Sequence, residues 1–481
     1  MDKTTVKDKT VKGLKWSLVS QVVKFVIQLT SSIVLARLLL PEDYGLFGMI
    51  NVLIGYAMIF ADFGFSSAII QKKDISEIQL NTIFWLNIAV SIVLSLIFYF
   101  SSSWVAAFYD NPALVTVTKL SGLGFLVLSV GLVHSALLAK QMDFKRLFFI
   151  MFISNMISLL VAIWMAYSGY GVYALVFQTL LIYLINSMLC ILTVRWKPSL
   201  QLSFQSITSI INFSKYLFAT RTFSYWTRSI DNLLVGKFLN PTALGVYTKS
   251  YALMTMPLHN VSHLISRVIF PSFSALQNDT EQVRSIYLKV TKTIAMVTFP
   301  LMCGILVTAD IMVPFVFGEQ WVAMVPIVQV LSIAAIPQSI GTLNGNLYMF
   351  QGNTKLQFKV SMVMNLIVIA FICFGLSYGI VGVATFYMIG SFAIMYHNFK
   401  YPLDLIEMKF TDLVKNLFKV LICAITMALA VKFITILLAG HFNDYMVLLI
   451  DLVAGIGIYC FLIWKFEGDH VIFLLKTVSK K

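Results

Sequence analysis

The sequence predicts an all-α, polytopic membrane protein, and three observations carry that prediction. First, 59% of its 481 residues are hydrophobic and only 12% are charged, against an apolar share of about half in soluble domains. Second, apolar runs recur from Gly13 to Lys465 with short polar breaks between them; at about 20 residues per crossing they make about fourteen transmembrane helices. Third, charge alternates with the spans. Lys3, Lys7, Lys9 and Lys12 precede span one, Lys72 and Lys73 follow span two, Lys140, Lys145 and Arg146 follow span four, and Arg195 and Lys197 follow span six. The intervening breaks are short or acidic, with Glu42, Asp43, Asp110, Glu319 and Asp444. Basic loops stay on the cytoplasmic side, so both termini are expected there. The same placement accounts for the net charge of +14 without a nucleic-acid partner.

Span one, Leu14 to Leu39, is read as a retained helix, because its apolar run is too long for a signal peptide and lacks a small-residue cleavage site. Its polar residues Ser17, Gln21, Lys24, Gln28 and Ser31 recur at helical spacing as one stripe, which should face protein or water. Span two, Tyr44 to Ile70, follows Pro41 and carries Asn51 and Asp62 on one face. Spans three to six follow at Leu80–Trp104, Leu114–Ala139, Leu147–Tyr167 and Gly171–Val194, with connections too short for a soluble domain. The linker RWKPSLQLSFQSI then introduces a repeat. Pro41 and Gly45 match Pro241 and Gly245 at an offset of 200, and AKQMDFKR and YGVYA match FQGNTKLQ and VGVAT at an offset of 211.

Two pseudo-symmetric six-helix lobes are therefore expected, residues 1–197 and 198–400, with two further C-terminal helices and a tail in 401–481. An even number of spans per lobe places the pseudo-symmetry axis along the membrane normal, with the substrate path between the lobes. Spans nine to twelve fall near Val290–Asp310, Val325–Phe350, Phe358–Leu376 and Ile380–Phe399, and the last two near Leu413–Ala439 and Tyr445–Trp464.

Span seven, Phe213 to Phe238, is the unusual one, since it carries Lys215, Arg221, Arg228, Asp231 and Lys237. Charge at bilayer depth faces a protein interior or a watery cavity. Arg221 and Arg228 share a helix face about 10 Å apart, which suits an anion with two separated groups. In the repeat register Gln21, Lys24 and Gln28 correspond to Arg221, Ser224 and Arg228. Span eight, Ala243 to Val268, adds Lys249, His259 and His263. The histidines read as polar lining rather than a metal site, and no metal or cofactor is expected. The five cysteines are scattered singly and read as buried small hydrophobes. Prolines 257, 300, 314, 326 and 337 can kink the helices that hold them.

The phrases LARLLLPEDYGLFGM, ADFGFSSAIIQ, KQMDFKRL, GYGVYALVFQ and RSIDNLLVGKFLNPTALGVYTKSYALMTMP occur in order along the chain. Together they resemble the polysaccharide exporters of the multidrug/oligosaccharidyl-lipid/polysaccharide flippase superfamily, in the colanic-acid and teichuronic-acid branch. The resemblance weakens beyond Lys400. It implies translocation of an undecaprenyl-pyrophosphate-linked oligosaccharide to the outer leaflet of the bacterial cytoplasmic membrane, by alternating access through a central cavity. The implied protein partners are polysaccharide polymerases and glycosyltransferases.

Such a cargo needs a hydrated cationic cavity, because bare passage of a diphosphate through hydrocarbon costs tens of kcal/mol. Arginine forks pair phosphate oxygens bidentately. The expected head-group contacts are therefore Arg221 and Arg228, with Lys24 opposite and Lys249 nearby. Tyr225, Trp226 and Tyr251 could stack on sugars, or could simply pack between helices. Structural pairing is the alternative for the charges: Lys24 with Asp62, Asp231 with Lys249, and Lys432 with Asp451. Asp62, Asp231 and Gln28 are expected to orient basic residues or gate the cavity. No catalytic residue is expected, and one self-contained cavity implies a monomer. The rival readings are a drug or metabolite antiporter of the same superfamily, which a cationic cavity disfavours for cationic drugs, and a membrane polysaccharide polymerase or ligase, which needs a long outer loop.

Overall fold

The computed structural model describes residues 3–72, 74–275 and 279–479, and the described chain is almost entirely helical. Sixteen α-helices occur in the order α1 (Lys3–Leu38), α2 (Pro41–Asp62), α3 (Phe65–Gln71), α4 (Glu77–Phe108), α5 (Leu114–Lys140), α6 (Phe144–Tyr167), α7 (Val172–Thr193), α8 (Thr208–Phe238), α9 (Pro241–Ala275), α10 (Thr280–Phe317), α11 (Val325–Gly341), α12 (Asn344–Phe350), α13 (Thr354–Leu376), α14 (Gly379–Asp404), α15 (Phe410–Leu438) and α16 (Asp444–Ser479). Among the described residues, twelve segments are long and apolar enough to cross a bilayer, against the fourteen expected. Neither α8 nor α9, the charged spans seven and eight of the sequence reading, is among the twelve.

Local chemistry sets the helix ends. Pro41 opens α2, where its missing N–H costs nothing, and the Asp43 carboxylate accepts the Leu40 N–H at 3.0 Å. A reciprocal capping box starts α4: Ser76 Oγ accepts the Gln79 N–H, and Gln79 Oε1 accepts the Ser76 N–H. Asp279 caps α10 by accepting the Gln282 N–H at 2.9 Å.

Span two is not one helix. α2 stops at Asp62, the chain passes through left-handed Phe63 (φ 44°) and Gly64 (φ 81°), and α3 begins at Phe65. Span ten likewise divides, into α11 and α12.

The chain forms two compact units, Met1–Gly245 and Val246–Lys481. In the first, α4 packs on α5, α7 lies against α5 and α6, α1 lies against α6, and α2 lies against α5 and α8. Phe65, Ile69, Ile83 and Val133 form one core cluster, and Leu35, Leu39, Ala162 and Ala174 another. The second unit is built around α10, which packs against α11, α15 and α16, while α13 pairs with α14. Its core includes Tyr287, Ile294, Leu347, Leu403 and Val420. Large apolar side chains cover the outside, with Trp104 80% exposed and Leu192 and Phe433 similarly bare, as a bilayer-facing surface requires. Cys373 and Cys460 share this exposure, unlike the buried Cys190, Cys303 and Cys423. All five were expected to be buried. An apolar side chain on a lipid-facing helix side has no need of a protein core.

The repeated Pro–Gly motifs meet each other within the first unit. A Cβ at Gly45 would lie 1.7 Å from the Pro241 carbonyl oxygen, and one at Gly245 would lie 1.8 Å from the Pro41 carbonyl oxygen. Backbone meets backbone there, so no rotamer change can make room. Gly45→Ala and Gly245→Ala should each lower stability by about 3 kcal/mol, the upper end of overpacking costs, read as thermal unfolding of the purified protein in detergent. Gly457→Ala, where nothing lies within 4 Å of the added methyl, should leave the transition unchanged or raise it slightly, because alanine favours a helix interior.

Candidate functional site

α8 carries Arg221 about 20 Å from its first residue, well inside the helix. The face that holds it packs on α2 and α3, and the break between those helices supplies its partner. Arg221 Nη1 lies 3.2 Å from Asp62 Oδ2, and Nη2 lies 3.4 Å from Ser67 Oγ. Asp62 is also the cap of α3, because its Oδ1 accepts both the backbone N–H and the hydroxyl of Ser66. One carboxylate thus starts a helix and holds a guanidinium. Arg221 remains 40% exposed and Asp62 21%. A guanidinium has five N–H donors, so Arg221 has donors beyond the two engaged here.

Aromatic rings surround this pair. The Tyr225 hydroxyl donates to the Val52 carbonyl at 2.6 Å, and Gly55 leaves room for its ring. Trp226 lies 5.0 Å from Tyr56, and Phe218 lies 4.8 Å from both Phe60 and Phe63. Tyr56 and Phe60 also form one wall of an apolar groove of about 660 Å³ between α2 and α4, lined further by Leu53, Val93, Ile97 and Phe98.

The partner of Asp62 is therefore Arg221 and not Lys24. Lys24 and Gln28 are exposed on α1, which packs against α6, so their helix gives them a different neighbour. Asp231 is buried, and its Oδ1 accepts the N–H of Asn232 at 2.8 Å. Lys237, lower on α8, pairs with Asp110 at 3.0 Å. The side chains of Arg228, Lys215, His259 and His263 lie outside the described residues.

In the second unit, Lys249 lies 5.9 Å from the ring of the fully buried Trp321, a cation–π contact. Tyr251 joins a polar chain: its hydroxyl is 3.3 Å from that of Tyr387, to which Gln338 donates at 3.0 Å, and Gln338 also reaches Ser391 at 3.3 Å. Lys432 does not pair with Asp451 as expected. Its Nζ lies 3.0 Å from Asp310 Oδ2 on α10, and Gln329 donates to the other oxygen of Asp310. α15 packs on α10 as well as on α16, and the α10 carboxylate is the nearer acceptor.

Sequence reasoning missed Ser67, Tyr387, Gln338 and Asp310. Of the features it missed, the α2–α3 break had a local signal, the glycine in ADFGFSS two residues after a carboxylate that can cap a new helix.

Residues 34–326 match the family described as polysaccharide biosynthesis protein. Over 377 residues the chain is 28% identical to the lipopolysaccharide biosynthesis protein WzxC of Escherichia coli (strain K12), covering 77% of this chain and 76% of that protein. It is also 28% identical over 356 residues to the teichuronic acid biosynthesis protein TuaB of Bacillus subtilis (strain 168), covering 72% of each. In three dimensions it resembles the lipid II flippase MurJ in an inward closed conformation, with a TM-score of 0.78 at 16% identity, over 95% of this chain and all of that one. The fold is thus shared with a membrane flippase, and the matched family region covers well over half of the sequence. The chain belongs to the polysaccharide biosynthesis protein family.

Proposed function

We propose that this protein is a flippase that carries an undecaprenyl-pyrophosphate-linked oligosaccharide from the cytoplasmic to the outer leaflet of the bacterial cytoplasmic membrane, for assembly of a surface polysaccharide. The observation that carries the proposal is the shared wall in the first unit. Tyr56 and Phe60 face both an apolar groove of about 660 Å³ and the aromatic cluster of α8, whose helix holds the half-exposed Arg221. A cationic site beside an apolar trough suits an amphiphile with an anionic head and a hydrocarbon tail. The groove volume lies within the range of about 300–1,000 Å³ typical of ligand sites.

In this reading Arg221, and Arg228 two turns along the same helix, contact the diphosphate. Asp62 aims Arg221 and limits its charge, so that the head group is held but can leave. Tyr225 has its hydroxyl committed to the Val52 carbonyl, which leaves the ring as its contact surface for sugar. Lys24 and Gln28 line the approach from α1. The relatives support the cargo by their names, which place them in lipopolysaccharide and teichuronic acid biosynthesis.

Transport by alternating access makes no covalent bond. The connections also leave little room for a catalytic domain: Leu239–Asn240 joins α8 to α9, and residues 439–443 join α15 to α16. The protein works as a monomer and delivers its cargo to a polymerase.

Depletion of the protein should leave complete lipid-linked repeat units on the cytoplasmic leaflet, measured by leaflet-resolved labelling of undecaprenyl-linked sugar. Units found outside but unpolymerised would instead make the protein a polymerase or ligase. Arg221→Ala should cut export at least tenfold. Being half-exposed, the pair contributes about 1 kcal/mol or less to stability, so misfolding does not explain such a loss. The Arg221→Met/Asp62→Asn double variant, whose amide oxygen can still cap α3 through Ser66, should melt close to the wild type and still fail to export. Restored export in that variant would reduce the pair to a structural strut. A reporter fused at the C-terminus should read as cytoplasmic.

A further inference from the structure

Asp451 lies in α16 with only 2% of its surface exposed, inside a helix apolar enough to cross the membrane. Its two oxygens have unequal surroundings. Oδ2 is 2.8 Å from Thr435 Oγ1 on α15, whereas Oδ1 is buried with no hydrogen-bond partner. Thr435 Oγ1 is also 2.9 Å from the Val431 carbonyl oxygen.

A hydroxyl has one proton to donate, and here two acceptors are within its reach. If Asp451 were ionised, one of those two contacts would pair oxygen with oxygen and no hydrogen between them. The negative charge would also be shared by Oδ1, which is buried without a hydrogen-bond donor, a costly arrangement. A protonated Asp451 removes the conflict. Its O–H donates to Thr435 Oγ1, the Thr435 hydroxyl donates to Val431, and Oδ1 is left as a neutral carbonyl oxygen.

The charged groups facing Asp451 from the packed helices are Lys432 of α15 and, beyond it, Asp310 of α10. Lys432 is one helical turn, about 5 Å, from Thr435, and its ammonium is now held by Asp310 at 3.0 Å. On α16 itself, Asp444 lies about two turns away.

We propose that Asp451 is a proton-binding site, occupied in this conformation, and that release of its proton draws Lys432 from Asp310 to Asp451. The acid O–H bond breaks, the proton goes to water, and Lys432 keeps its charge and changes carboxylates. Asp310 retains the Gln329 amide as donor, at 3.1 Å. The proton site is independent of the flippase reading; only its use as a coupling step in translocation rests on that reading.

The test is infrared difference spectroscopy of the full-length protein in lipid nanodiscs, titrated with pH. A protonated-carboxyl C=O band should be present at neutral pH and absent in Asp451→Asn, whose amide can donate to Thr435 in place of the acid. Lys432→Met removes the compensating cation, so the band should persist to higher pH, by about one unit or more. Asp310→Asn frees Lys432, so the band should vanish at lower pH by a similar amount, as neighbouring charges generally shift such sites. A wild type without the band, or an unaltered band in Asp451→Asn, overturns the proton site. If Asp451→Asn does not fold, Thr435→Val must shift the band, and an unshifted band has the same force. Equal midpoints in the Lys432 and Asp310 variants overturn the exchange. A protein that failed to flip lipid would leave all of these spectra as predicted.

Discussion

The first unit depends on one carboxylate, Asp62. A helix that starts leaves its first backbone N–H groups without partners inside the helix, and α3 starts just after α2 stops at Asp62. The side chain of Asp62 meets part of that demand by capping α3 through Ser66, and its second oxygen holds Arg221. The break and the cation are therefore one arrangement. Each removes a cost that the other would otherwise impose: the mostly covered carboxylate needs a counter-charge, and the guanidinium needs an acceptor.

Around that point the packing is set by residues that give way. Gly45 and Gly245 let two helix starts touch at their backbones, and Gly55 makes space for Tyr225, whose hydroxyl then reaches the α2 backbone. Such contacts align α8 against α2 and α3, and so fix where Arg221 points. The aromatic rings beside it are largely engaged with one another, a geometry that holds the α8 face in shape while leaving the groove between α2 and α4 apolar.

The second unit solves a similar problem with more partners. α10 runs from Thr280 to Phe317, long enough to exceed the bilayer at 1.5 Å per residue. Charged residues tie it to the C-terminal helices at two levels: Lys292 pairs with Glu467 of α16 at 2.8 Å, and Asp310 pairs with Lys432 of α15. Between them the packing is apolar, with Cys303, Cys423 and Met427 in one core. The last two helices lie outside the sequence repeat, yet they are part of the core of their unit.

The sequence by itself determined the class of the protein, its family resemblance, the approximate position of most helices and the helix on which charge is concentrated. These follow from one-dimensional quantities: run length, hydropathy and the position of a residue between helix ends. It also marked the Pro41–Gly45 and Pro241–Gly245 correspondence, though not that these motifs touch. Tertiary structure alone decided the partners. Position along the helices suggested Lys24 for Asp62 and Asp451 for Lys432, whereas the partners are Arg221 and Asp310. Depth can be read along a chain, but partner choice depends on which helices are neighbours and on how each is rotated. Those two quantities come from side-chain packing across elements far apart in sequence, and no spacing within one helix encodes them.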